Sequence, residues 1–285
     1  MRLKDVLRDK LTEEELKLVP TSFNIIGSRS GAVAIIEIPP ELEHRKHLIG
    51  EAIMLIHKNV RVVLRKVSSR KHIYRVREYE VIAGSGSTEV IHKEHGCLFK
   101  LDPTKVYFSP REGTERIRIA RQVAPGEFIM LMFAGVCPYG IVIAKHQPLV
   151  EKIVAIEINP IAYKYMVENI KLNRVEDKIV PVLGDVRDKA KEWYGMCDRV
   201  IMPLPKGAYL FLDEAFSCLK PEGGIINFYH WAHEEDLYSE AIKLVREKAN
   251  ERGREVVILG KRIVSPYAPR IYKIAIDLRV KVLEE

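Results

Sequence analysis

Cysteine is scarce: the 285 residues contain four, Cys97, Cys137, Cys197 and Cys218, widely separated and with no C-x-x-C pair. That scarcity argues against a zinc site and against a secreted disulfide framework. An apolar leader is missing too, because Met1-Arg2-Leu3-Lys4-Asp5 runs straight into further charges. The longest apolar run, residues 128–144, is short for a bilayer span and is broken by Gly135, Pro138 and Gly140. No repeat, low-complexity tract or long linker is present. These absences predict a soluble, cytoplasmic protein without a metal site.

What is present reads as globular, with 47% hydrophobic and 30% charged residues. The length suits one large domain or two unequal ones, each able to bury a core. Forty-six Lys and Arg against 39 Asp and Glu leave a net charge of +7, which is compatible with a polyanionic partner. Much of that excess is concentrated. Lys58, Arg61, Arg65, Lys66, Arg70, Lys71, Arg75 and Arg77 occur in one stretch that holds Tyr74 and no acid. Such a run is either a solvated face or a phosphate-contact surface for RNA; its density favours the second.

Residues 1–99 predict a small α+β domain. Thr12 and Glu15 form a capping box at a helix start. Residues 32–38 predict a buried strand stopped by Pro39-Pro40, residues 47–56 a helix, and residues 60–65 and 79–82 further strands. From residue 100 to residue 285 the texture becomes regular. Apolar, often β-branched runs at 128–133, 153–158, 179–183, 200–202 and 224–229 alternate with amphipathic segments such as 162–173, 209–219 and 234–251. Strands alternating with helices predict a mostly parallel, twisted sheet covered on both faces. The last runs, 256–259 and 272–278, have no helix between them and predict a terminal antiparallel hairpin. The expected fold class is therefore α/β, a Rossmann-like domain preceded by the smaller one.

Ligands of such sheets bind at the carboxyl ends of the strands. The first strand ends in Met132-Phe133-Ala134-Gly135-Val136-Cys137, the second in Glu157-Ile158-Asn159, the third in Gly184-Asp185-Val186, and the fourth in Pro203-Leu204-Pro205-Lys206. Glu157 follows Gly135 by 22 residues, where a carboxylate can accept from both hydroxyls of a ribose. Each signal alone is weak, since strand-tip acids are usually just solvated. Several polar tips on successive strands favour a nucleoside-containing ligand.

These residues resemble a known family, the archaeal and eukaryotic tRNA guanine-N1 methyltransferases that act at position 37, beside the anticodon. The resemblance runs through Arg75-Val76-Arg77, Lys105-Val106-Tyr107-Phe108-Ser109-Pro110-Arg111, Gly113-Thr114-Glu115-Arg116, Met132–Val136, Glu157–Pro160, Gly184–Arg187, Leu204-Pro205-Lys206 and Ser265–Arg270. It implies a class I S-adenosylmethionine-dependent methyltransferase whose partner is the anticodon arm of tRNA. It further implies Glu115 as the base that removes the N1 proton and Arg75 as the partner of O6. A guanidinium suits that role, being always charged and donating in a fixed fork. Tyr107 falls near the methyl donor, and Pro205 shapes the base pocket. Phe133, Ala134, Gly135, Glu157, Ile158, Asp185 and Val186 would hold the cofactor, with Glu157 and Asp185 on ribose and adenine. Arg65, Lys66, Arg70, Lys71, Arg77, Arg111 and Lys206 would meet RNA. Read without the family, Glu115 is a helix-surface glutamate paired with Arg118, and Arg75 an exposed cation.

The sequence departs from the family pattern at three positions. Leu131 replaces a strand-end acid, Cys137 a glycine expected to approach the methionine moiety, and Pro203 an asparagine expected to touch the target guanine. Each costs on the order of 1–3 kcal/mol if a buried partner is left unsatisfied. The elbow-contacting N-terminal domain of many family members is not expected here, and the protein is expected to act as a monomer. Two alternatives stay open: a decayed, non-enzymatic tRNA-binding paralogue, and a wybutosine-pathway transferase acting on a modified guanine.

Overall fold

The computed structural model describes residues 2–68 and 77–283, and its contacts divide the chain into two units, one ending at Pro110 and one beginning at Arg111. In the first, α1 (Leu3–Leu7) precedes α2 (Glu13–Leu18). The predicted capping box forms at α2: Thr12 Oγ1 accepts from the Glu15 amide at 3.2 Å, and Glu15 accepts from the Thr12 amide at 2.9 Å. The strands β1 (Asn24–Ser28), β2 (Gly31–Ile36), β3 (Val60–Lys66) and β4 (Tyr79–Gly84) form one sheet in that order, with α3 (Lys46–Ile56) between β2 and β3. Leu7, Ile36, Leu42, Ile49, Ile53 and Val63 make its core.

A hairpin, β5 (Val90–Glu94) and β6 (Cys97–Leu101), completes this unit. His95 and Gly96 turn it with φ of 48° and 75°, the left-handed pair that two-residue hairpins need. The Gly27 amide donates to His92 Nδ1 at 3.2 Å, Thr88 and Thr104 both donate to Asp102 Oδ1, and the Phe108 ring meets His92 edge-on. These ties carry the first unit past residue 99 to Pro110.

The second unit starts with α4 (Gly113–Gln122) and continues as β7 (Phe128–Leu131), α5 (Pro138–His146), β8 (Lys152–Glu157), α6 (Pro160–Leu172), β9 (Ile179–Leu183), α7 (Val186–Lys189), β10 (Arg199–Met202), α8 (Leu212–Cys218), β11 (Gly223–His233), α9 (Ser239–Glu251), β12 (Arg254–Ala268) and β13 (Ile271–Val282). Its strands lie in the order β12-β13-β11-β10-β7-β8-β9. From β9 to β11 all neighbours are parallel, while β13 pairs antiparallel with both β11 and β12. The doubly wound sheet with a terminal antiparallel hairpin is therefore as the alternation predicts.

Two details differ from the sequence reading. The apolar run 128–144 is a strand and a helix, with Pro138 in the first turn of α5. Residues Tyr139 to Ala144 are all buried, so α5 is apolar all round and carries no amphipathic period to read. Helix α9 begins at Ser239 rather than near 234, after a turn in which Asp236 Oδ1 accepts from the Ser239 amide at 2.9 Å. Among the described residues no helix is long and apolar enough to cross a membrane.

Candidate active site

From β7 the chain winds outward to β8 and β9, then returns to β10 on the other side of β7. The strand order thus reverses between β7 and β10, and their carboxyl ends flank the crevice where ligands of this architecture bind. The loop leaving β7 is sharply shaped: Phe133, Gly135 and Cys137 all have left-handed φ, of 57°, 59° and 68°. That conformation costs energy for a residue with a side chain and clusters where backbone is shaped around a ligand. Surrounding hydrogen bonds impose it. The Ala134 amide donates to Ile156 O at 2.9 Å, and the buried Asn169 of α6 donates from Nδ2 to Val136 O at 3.2 Å.

The tip of β8 joins this loop to the tip of β9. Glu157 is 8% exposed. Its Oε2 accepts from the Gly135 amide and its Oε1 from the Asn159 amide, both at 2.7 Å, while Glu157 O accepts from the Gly184 amide at 3.0 Å. Burial pushes the Glu157 carboxyl above its ordinary value despite these donors. Asp185, half-exposed, caps α7 by accepting from the Arg187 amide at 2.9 Å. Phe133 meets Phe211 edge-on at 4.9 Å, and the Arg187 guanidinium covers the other ring at 4.6 Å. Ile158 is half-buried and Val186 buried at the same tips. The expected cofactor residues are therefore drawn together. Carboxylates beside apolar rings suit an adenosine group, whose hydroxyls donate and whose base stacks.

Glu115 lies on α4 and is only 3% exposed. Arg118 grips it with a fork, Nη2 to Oε1 at 2.7 Å and Nε to Oε2 at 2.8 Å. The Tyr229 hydroxyl donates to Oε1 at 2.6 Å. So the pairing with Arg118 is real, but the surface setting that would make Glu115 unremarkable is not. Its height in the sheet matters: Phe228 pairs with Met202, the last residue of β10, so Tyr229 stands level with the strand's tip. Beneath, Asp277 accepts from Arg118, Gln122 and Asn227. Burial opposes charge on Arg118, yet Glu115 and Asp277 outweigh it and hold the guanidinium still more firmly protonated. Beside this cluster the buried Lys273 Nζ donates to Glu112 Oε2 at 2.8 Å. Burial lowers the Lys273 pKa, and Glu112 opposes the fall.

The remaining expected residues are scattered over both units. Tyr107 is half-buried in the first unit between buried Val106 and Phe108. In the second, Pro205 is buried and Lys206 exposed just past β10, and Arg111 is exposed. Arg65 pairs with Glu43 and Glu80, and Lys66 with Glu37 at 3.3 Å. The acid-free run is thus supplied with acids from neighbouring elements, and a phosphate must compete with them for these two cations. Arg77 is half-buried. Arg70, Lys71, Tyr74 and Arg75 lie outside the described residues.

Cys137 stands where the resemblance expects a glycine. It is wholly buried, and its sulfur points into the first turn of α5, lying 2.6 Å from where a Cβ on Gly140 would be built. Leu131 is wholly buried on the same spot. Sequence reading missed Tyr229, Arg262 and Asn169, which come from elements distant along the chain and carry no local motif.

Residues 90–257 match the TRM5/TYW2 methyltransferase domain and residues 3–88 the TYW2 N-terminal domain. The chain is 48% identical to the tRNA (guanine(37)-N(1))-methyltransferase Trm5b of Pyrococcus abyssi, over 94% of this chain and 77% of that protein. It is 34% identical to the tRNA(Phe) (4-demethylwyosine(37)-C(7)) aminocarboxypropyltransferase of Pyrococcus horikoshii, over 98% of this chain and 96% of that one. Among solved structures, the complex of aTrm5 with tRNALeu superposes with a TM-score of 0.84 at 38% identity, covering 98% of this chain and 78% of that one. With both of its parts matched by models of one family, the chain belongs to the TRM5/TYW2 methyltransferases.

Proposed function

We propose that this protein transfers a methyl group from S-adenosylmethionine to N1 of guanine 37 in the anticodon arm of tRNA, acting in the cytoplasm as a monomer. The observation that carries the reading is the burial of Glu115 at the carboxyl edge of the sheet, held by Arg118 and Tyr229 level with the tip of β10. Guanine N1 bears a proton near neutral pH, so its methylation needs such a base within about 3 Å. The 48% identity to a guanine-N1 methyltransferase supports the same chemistry.

Glu157 and Asp185 would hold the ribose and adenine, while Phe133, Ala134, Gly135, Ile158 and Val186 line the site. Bound there, the cofactor supplies an electrophilic methyl group on a sulfonium. The chain's own part is to orient and exclude water, to take the N1 proton at Glu115, and to offset charge on O6 through Arg75. By the resemblance, Tyr107 would serve near the donor and Pro205 would shape the base pocket. Arg65, Lys66, Arg70, Lys71, Arg77, Arg111 and Lys206 contact RNA backbone, which weakens binding steeply as salt rises.

The second reading is transfer of the aminocarboxypropyl group, favoured by the near full-length match to the Pyrococcus horikoshii enzyme. Retention of Glu115 and Leu204-Pro205-Lys206 favours methylation. Cofactor labelled separately in its methyl and aminocarboxypropyl carbons, incubated with tRNA carrying guanine 37 or 4-demethylwyosine, tests both. Methyl label on guanine 37 supports the proposal. Aminocarboxypropyl label on the tricyclic base replaces it with the second reading.

A further inference from the structure

The two oxygens of Glu115 are not equivalent. Oε1 accepts two hydrogen bonds, from the Tyr229 hydroxyl at 2.6 Å and from Arg118 Nη2 at 2.7 Å. Oε2 accepts one, from Arg118 Nε at 2.8 Å. Its other neighbour, Arg262 Nε, stands off at 3.6 Å, beyond hydrogen-bond range. A carboxylate oxygen offers two lone-pair directions. Oε1 is therefore full, and Oε2 has one direction left.

The groups that hold Oε1 have little freedom. Tyr229 is wholly buried, with the Lys273 ammonium 4.8 Å from its ring centre and Tyr139 edge-on at 6.1 Å. Arg118 is also tied to Asp277, through both Nη1 and Nη2. Arg262 is the opposite case. It sits on β12, the edge strand, with its side chain 40% exposed. Its Nε is buried without a hydrogen-bond partner among the described residues. Among the described residues, a cation held this loosely is the one neighbour of Glu115 that can leave without breaking a hydrogen bond.

We infer that Oε2 is the atom of Glu115 that takes the proton, that Tyr229 is a positioning residue which saturates Oε1 and so aims Oε2, and that Arg262 is the contact displaced when the target base enters. The inference rests on Glu115 being the base. In the step, the proton passes from N1 to Oε2 and the N–H electron pair stays on nitrogen. That pair forms the bond to the methyl carbon as the carbon–sulfur pair returns to sulfur, so the cation and the carboxylate are neutralised together.

The test is single-turnover methyl transfer at saturating tRNA and cofactor for Y229F, R262A and E115Q, with both dissociation constants and the melting temperature measured alongside. Y229F keeps the ring and loses only the donor to Oε1. Its rate constant should fall by about ten- to a hundredfold, as misplacement of a reacting group does, with both dissociation constants unchanged. R262A should leave the saturated rate constant unchanged and tighten tRNA binding by roughly threefold, because the entering base no longer has to displace that contact. A role in stability alone would slow both. Wild-type transfer by Y229F, or R262A slowed like Y229F, overturns the inference. E115Q separates the two layers: full activity there defeats the reading of Glu115 itself, whereas an inactive E115Q beside a normal Y229F defeats this inference alone. If Y229F does not accumulate folded, R118K, which replaces the fork by a single donor, should show the same fall, and wild-type transfer by R118K overturns the inference.

Discussion

The sulfur of Cys137 occupies the space that any side chain on Gly140 would need, 2.6 Å from its Cβ position, with Leu131 Cδ2 next at 3.3 Å. Two of the three departures from the family pattern are thus one packing unit, closed on a glycine inside α5. Gly140→Ala would normally favour a helix, yet here it should destabilise by about 1–3 kcal/mol through overpacking. Cys137→Gly relieves both the clash and the left-handed strain. The double variant C137G/G140A should therefore recover most of the loss, with a coupling of about 1–2 kcal/mol in denaturant unfolding. Additive effects would show that the two residues do not share the space.

Burial pushes the Cys137 thiol up to about 12, against the amides of Gly140 and Ile141 that favour the thiolate. Thiolate is the reactive form. Native protein treated with iodoacetamide at pH 8.5 should show no modified Cys137 by peptide mass spectrometry, while protein in denaturant is modified fully. Rapid native labelling would contradict the burial of this loop.

Glu157 links the loop after β7 to the start of α6 by accepting from Gly135 and Asn159. Glu157→Gln turns one acceptor into a donor and sets it against an amide N–H. Cofactor affinity, measured by calorimetry, should fall by about ten- to a hundredfold, which is 1–3 kcal/mol. Stability should respond to pH with a definite sign. The folded carboxyl is raised above its ordinary 4.5 by burial. The folded state then keeps a proton that the unfolded chain has released, so this contribution is present below 4.5 and lost as pH rises through the folded value. The melting temperature of E157Q should gain on that of the parent as pH rises from 4.5. A difference that is flat or shrinks with pH would contradict the assignment.

Lys273 and Glu112 form a buried ion pair beside the Tyr229 ring. Removing Lys273 takes the ammonium away from the buried Glu112 carboxylate, so K273M should destabilise by about 3–5 kcal/mol in urea unfolding. K273M/E112L, which removes both charges of the pair, should lose much less. Equal losses in the two variants would mean that the pair is not coupled.

The architecture was largely readable because β-branched runs and amphipathic helices alternate so regularly from Phe128 onward. Glu157 and Asp185 were readable for the same reason, since a polar residue ending an apolar run marks a strand tip. The helix α5 was not, because burial on every side removes its period. The setting of Glu115 was hidden differently. Its partner at i+3 is visible in the sequence, but Tyr229 lies 114 residues away and reaches it only through sheet pairing. The basic run erred in the opposite direction: Arg65 and Lys66 look unopposed along the chain and meet Glu43, Glu80 and Glu37 in space.

The central claim is methylation of N1 in guanine 37, and nucleoside mass spectrometry after incubation with cofactor and unmodified tRNA transcripts measures it directly. Transcripts carrying guanine at position 37 should yield 1-methylguanosine, and matched transcripts carrying adenine there should yield no methylated nucleoside. Tight tRNA binding with no 1-methylguanosine on the guanine transcript would contradict the claim and leave a tRNA-binding protein with a different chemistry or none.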